Sequence, residues 1–295
     1  MLDIAQQITD RIIGELEKGA TPWVKPWKRL KQAPGAGMPY NPASKTIYRG
    51  INHFWLGMQA YALPWYLTFK QARDLGGNVK PGEKGTPVVY WNVHKKETTG
   101  ENGESVTSAY AFIKHYWVFN VEQCEGITLP ALPETPAPHF DANADVLAIV
   151  ERLGLSGGLT HAGDQAFYRP STDAIVMPPL AAFPDAANYH ATLLHESVHA
   201  TGHEKRLKRL TPARFGSEGY AYEELCAELG AAMLCAHLGI DGDLRHAGYI
   251  QSWLKALRND KKFILSASAQ AQKALDYLVP AAQEESEQEG EKIAA

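Results

Sequence analysis

The chain has 295 residues, 45% of them hydrophobic, which is enough apolar material for two modest domains with real cores. No apolar run approaches the length of a membrane span, and the opening MLDIAQQITDRIIGELEKG carries acids where a secretory leader carries bases, so the expected setting is cytoplasmic with no membrane partner. The net charge of −4 hides an asymmetry: residues 1–100 hold 14 Lys and Arg against 7 Asp and Glu, whereas the remainder holds 15 against 26.

In chain order, IAQQITDRIIGELEKG reads as an amphipathic helix ended by Gly19. The stretch that follows, to about residue 57, interleaves Trp23, Trp27, Tyr40, Tyr48 and Trp55 with Lys25, Lys28, Arg29, Lys31, Lys45 and Arg49. Flat aromatic rings stack on unpaired bases whatever the base, and interleaved cations follow the phosphates. WYLTFKQARDLGGNVKPGEKGTPVVYW continues the pattern around a Gly-rich turn, with Lys70 and Lys84, and the segments YWNVHKK and SAYAFIKHYWVFN read as strands. No recognition helix or dimer signature suggests a duplex reader. The candidate single-strand contacts are Trp23, Lys25, Trp27, Lys28, Arg29, Lys45, Tyr48, Arg49, Trp55, Lys70 and Lys84. The same composition also suits rings packed in a core and cations on a solvated face.

Prolines at 130, 133, 136 and 138 forbid a helix or central strand, so residues 128–139 read as a stiff connector between a first domain, 1–127, and a second, 140–282. In the second, DANADVLAIVERLG is a helix stopped by Gly154, and DQAFYRPSTDAIVMPP a hairpin turning at Pro170-Ser171-Thr172-Asp173. Two further helices follow, NYHATLLHESVHATGH and YAYEELCAELGAAMLCAHLG. The closing EESEQEGEKIAA, within residues 283–295, reads as a disordered acidic tail. Cys124, Cys226 and Cys235 form no paired framework and read as reduced thiols.

The pentad HESVH carries the chemistry. Positions i and i+4 share a helix face, so His195 and His199 can grip one metal ion, and Glu196 can take a proton from the attacking water. A third histidine ten positions after the first is absent, because residue 205 is Lys. A carboxylate from the next helix would complete a two-His, one-Glu set: Glu224 is the first candidate, with Glu228 as a carboxylate that orients a ligand histidine. Glu228, His203 and His237 remain alternative third ligands, and Glu223 sits about 100° around the helix from Glu224, a poorer placement. Tyr220, Tyr222 and His203 are candidate oxyanion donors.

The runs TPWVKPWK, NPASKTIYRGIN, WYLTFKQARDLGGNVKPGEKGTPVVYW and AFIKHYWVFN resemble the first domain of ArdC-type antirestriction proteins of conjugative plasmids, a domain also found in DNA primases of the TraC type. LLHESVHATGH, EELCAELGAAML and YIQSWLKALRNDKKFILSASAQAQKALDYL extend that resemblance over residues 2–280. It implies an α+β fold of two domains: a single-stranded-DNA-binding α+β unit, then a mostly helical zincin-like metallopeptidase unit with a small antiparallel sheet. It implies metal ligation by His195, His199 and Glu224, with Zn2+ or another divalent ion such as Mn2+, and Glu196 as general base. It further implies shielding of incoming plasmid DNA from host restriction endonucleases. The alternatives are a DNA-associated protease, acting on a restriction enzyme or a cross-linked protein, and a DNA binder in which zinc is structural.

Overall fold

Residues 3–20, 22–23, 38–59, 61–99, 105–129, 142–214, 216–242 and 249–280 are described by a computed structural model, the strand ends 91–99 and 105–113 by their backbone. Helix α1 (Ile4–Glu17) buries Ile4, Ile8, Ile12 and Leu16, spaced to share one face, while Asp3 caps it by accepting from the Gln6 N–H. Gly19, at φ 77°, lets the chain leave. Then come β1 (Tyr40–Asn41), β2 (Thr46–Ile47), α2 (Ile51–Gly57), β3 (Tyr66–Thr68), α3 (Phe69–Asp74), β4 (Asn78–Val79), β5 (Thr86–Thr99), β6 (Ser105–Asn120) and β7 (Cys124–Glu125).

The long antiparallel ribbon β5–β6, with β3 on the far side of β6, is the frame of the first half. Tyr66, Val88, Tyr116 and Val118 form a cluster on one face of this sheet with Tyr48, Tyr61 and Leu56. At Pro87 and Val89 the outer edge of β5 is engaged. Asn52 exchanges two hydrogen bonds with the Val89 backbone, and the Trp55 indole N–H donates to Pro87 O at 2.8 Å. Pro87 sits where a ladder N–H is dispensable, and α2 packs against this end of the strand.

The second half comprises α4 (Ala142–Arg152), β8 (Gly158–His161), β9 (Phe167–Arg169), β10 (Ala174–Met177), α5 (Ala186–Thr201), α6 (Glu218–Leu238), α7 (Ile250–Asn259) and α8 (Phe263–Leu278). The expected hairpin is the β9–β10 pair; β8 joins the other side of β10 in parallel, making the sheet mixed. Architecture and class match the α+β expectation. The helices pack closely: a Cβ on Gly230 of α6 would lie 2.8 Å from Val198 of α5, so glycine there sets the distance between the two helices that carry the site.

One apolar core runs from α1, Trp23, Ile51 and Phe54 into α5–α8. Polar links tie the same surfaces: Thr9 to Lys261 O, Arg258 to Glu17, Lys261 to Asp3, and Arg49 to Asp276. Thus α1, although first in the chain, lies against α7 and the turn after it. The three cysteines are buried and form no disulfide among the described residues. Among the described residues no helix is long and apolar enough to cross a membrane. The proline run from residue 130 and the acidic tail lie outside the described residues.

Candidate metal centre and nucleic-acid face

Helix α5 begins at Asp185, which accepts from the Asn188 N–H, and is buried along most of its length, so its polar residues sit in a dry setting. His195 is 2% exposed and Glu196 7%. The Nε2 atoms of His195 and His199 lie 3.2 Å apart. Glu224 of α6 reaches between them, Oε2 3.7 Å from His195 Nε2 and Oε1 3.5 Å from His199 Nε2. Bonds of about 2.0–2.2 Å at tetrahedral angles would set donor atoms roughly 3.3–3.6 Å apart. The three side chains therefore offer a donor set of the right chemistry and span for one divalent ion, with a fourth direction left for water or substrate.

Each histidine is backed by a second carboxylate. His199 Nδ1 lies 3.0 Å from Glu223 Oε1, and His195 Nδ1 lies 3.6 Å from Glu228 Oε2. Glu223 is itself gripped through both oxygens by Arg209, at 2.8 Å each. Burial opposes its ionisation, but Arg209 and then His199 outweigh that and bring the carboxyl from 4.5 down to about 2. Arg209 gets there because the chain doubles back after α5: Arg209 and Leu210 both donate backbone N–H bonds to Gly202 O. A Cβ at Gly202 would sit 2.9 Å from Leu210 Cγ and 3.0 Å from Arg209 Nη2, so the turn requires glycine. Burial likewise opposes a charged His195, yet Glu224, Glu228 and Glu196 raise it to about 10, so without metal the ring holds a second proton.

Glu196 Oε2 accepts from the Tyr168 backbone N–H at 2.8 Å, on the open edge of β9. This contact points the carboxylate across the edge where an extended peptide would pair. The Tyr220 hydroxyl lies 3.0 Å from that of Tyr249. Burial, followed by Tyr249 and the charge of Glu224, holds the Tyr220 phenol well above its ordinary range, so it stays a neutral donor beside the ligand set. Tyr249 also feels Glu224 and Glu196. His203 stands against Tyr168, and His237 lines a separate cavity; neither belongs to the converging set. Tyr249 escaped the sequence reading, and Glu223 entered it only as a poorly placed third ligand, not as a partner of His199. Only the arginine downstream of the glycine turn hinted at that pairing.

The predicted DNA contacts are scattered. Trp23 is buried, edge-on to Trp253 at 5.6 Å, with its indole N–H directed at Glu228 Oε1 at 3.4 Å. Tyr48 is buried in the sheet cluster, and Trp55 is spent on the β5 edge. Trp23 and Tyr48 present no open face to a base; Trp55 is half-buried. Arg49 pairs with Asp276. Lys45, Lys70 and Lys84 are exposed, whereas Lys25, Trp27, Lys28 and Arg29 lie outside the described residues.

A different set of rings is open. On the sheet face opposite the tyrosine cluster, His115, Trp117 and Phe119 follow one another along β6, and Trp117 is 45% exposed. Phe69, 51% exposed, lies edge-on to Phe119 at 6.3 Å. Gly85 rests against the Phe119 ring, and exposed Lys84 and Lys70 are the chain neighbours of Gly85 and Phe69. Alternation along AFIKHYWVFN could have found this strip, since Tyr116 and Val118 face inward and Trp117 must face out.

Residues 2–119 match a family model described as the N-terminal domain of anti-restriction factor ArdC, and residues 147–270 one described as a zincin-like metallopeptidase. Among curated proteins, a DNA primase TraC of Escherichia coli is 40% identical over 295 residues, spanning 93% of this chain but 27% of its own. An uncharacterized protein, y4eC, of Sinorhizobium fredii is 38% identical, covering 94% of this chain and 91% of that one. Among solved structures, metal-free antirestriction ArdC from the R388 plasmid superposes with a TM-score of 0.76 at 39% identity, covering 95% of this chain and 98% of the other. The Mn(II)-bound form of the same protein gives 0.75 at 37% identity, covering 96% and 99%.

Proposed function

This chain belongs to the ArdC antirestriction family, and on that footing we propose that it acts as an antirestriction protein in the cytoplasm. In this reading it binds single-stranded DNA with its first half, residues 1–127, and keeps incoming plasmid DNA from host restriction endonucleases. The observation that carries the reading is the match in sequence and fold to R388 ArdC over 98% of that protein. The strip of Phe69, His115 and Trp117, with exposed Lys70 and Lys84 next in the chain to Phe69 and Gly85, supports the single-strand part, because it combines open rings with cations. The longer TraC primases share only this portion of their length, so no primase activity is carried over.

The second half, residues 140–282, is assigned a divalent metal, Zn2+ or Mn2+, on His195, His199 and Glu224. Once bound there, such an ion supplies Lewis acidity toward a carbonyl and acidifies water. In this reading Glu223 and Glu228 orient the two imidazoles, Glu196 accepts a proton, and Tyr220 and Tyr249 serve as neutral donors for a developing oxyanion. The placement of Glu196 beside the ligand set and the β9 edge favours a second reading, in which the same protein cleaves a protein on DNA. Plasmid transfer into a restricting host decides between them. Glu196→Gln should protect as the wild type does if DNA binding suffices; loss of protection with metal and DNA binding intact would establish the protease reading instead.

A further inference from the structure

A partly open cavity of about 140 Å³ lies where the first half meets the second, bounded by the β1–β2 hairpin, α2, α6 and α8. At roughly 30 Å³ per water, it has room for about five. Met38, Met233 and Leu275 give it apolar walls. Two histidines face it. His53 is 7% exposed and its ring makes no hydrogen bond among the described residues; the ring of His237, half-buried on α6, likewise makes none there. At the mouth stand Lys45, held in the left-handed region at φ 60° on the hairpin turn, and Arg49, whose guanidinium also pairs with Asp276.

Apolar walls beside hydrogen-bonding edges, with cations at the entrance, match a nucleobase that carries its phosphate. Burial lowers His53 from 6.5 to about 4 and lowers His237 as well, so both rings are neutral near pH 7. A neutral imidazole has one donor and one acceptor, as a base edge requires. We propose that this cavity takes one unstacked base of the bound single strand, its edge against His53 and His237 and its phosphate between Lys45 and Arg49. The proposal rests on the single-strand reading above and adds a contact which that reading does not need. Met233 and His237 belong to the same helix as Glu224 and Glu228, so a base held here would touch both halves at once.

The test uses the full chain and an oligothymidylate with one 5-iododeoxyuridine at successive positions, irradiated and mapped by mass spectrometry. Adducts are expected on His53, Met233 or His237. Met233→Trp, which fills the cavity, should abolish them and weaken the strand about fivefold or more. His237→Phe, milder for folding, should weaken it in the same direction with metal content unchanged. Binding with adducts only near Trp117 and Phe69, and both variants at wild-type affinity, would overturn the pocket while leaving the single-strand reading in place. No binding of the oligonucleotide at all would overturn both.

Discussion

Replacing Glu223 by Gln tests whether the metal centre depends on a carboxylate outside the ligand set. In the wild type Glu223 accepts from His199 Nδ1 and from two Arg209 nitrogens, all within 3.0 Å. Gln keeps the shape and one acceptor but loses the charge that polarises the imidazole. Such changes cost about 10–100-fold in metal affinity, roughly 1.4–2.7 kcal/mol. Arg209, its side chain 4% exposed, would also lose its counter-charge. Removing one partner of a buried pair costs about 3–5 kcal/mol, and the lower end applies because the guanidinium keeps its bonds to Val198 O and Thr201 Oγ1. The depressed acid also sets a pH window: its stabilisation is present above 4.5 and fades as pH falls through about 2, so the Gln variant should lose that acid-dependent part. Zinc competition against a chromophoric chelator, on variant protein shown to be folded, reads the first effect, and urea unfolding of the metal-free protein reads the second. Affinity within twofold of wild type would refute the assignment of Glu223 to the centre.

Further outcomes follow from the same geometry. Metal-free His195, raised to about 10, must give up a proton on ligation, so calorimetry at pH 7.5 in buffers of different ionisation enthalpy should find about one proton released per metal, and affinity should fall as pH drops; no buffer dependence would contradict it. The charged ring also stabilises the metal-free fold below pH 6.5, an effect lost as pH rises through about 10. Gly230→Ala drives a methyl into Val198 and should cost about 1–3 kcal/mol and reduce metal occupancy, visible in thermal melts with and without zinc; an unchanged midpoint would show that the helices adjust freely. Trp117→Ala should weaken single-stranded DNA by about fivefold or more while Trp55→Phe, at the β5 edge, acts on stability, with anisotropy and melting separating the two.

Helical spacing made the HESVH face legible, because an i, i+4 pair on an apolar helix needs no knowledge of the rest of the fold, whereas Glu224 on the next helix stood out from its alternatives through the family resemblance. Glu223 as a partner of His199 was not legible. Its role depends on the crossing of α5 and α6 at Gly230 and on the Gly202 turn that returns Arg209, both tertiary facts. The aromatic-rich first half misled in a specific way: Trp23 and Tyr48 have the composition of a stacking surface, yet burial uses them in the core. Composition reports how many rings exist, whereas strand alternation reports which way they face, and only the latter points to Trp117. The mixed sheet was half visible, since a hairpin is local and the parallel partner β8 is brought in from beyond the turn.

The most direct measurement is fluorescence anisotropy of the full chain with labelled single-stranded and duplex DNA across a salt series. Tighter binding to the single strand is expected, falling steeply as salt rises. Equal or better binding to duplex, or none to either, would contradict it.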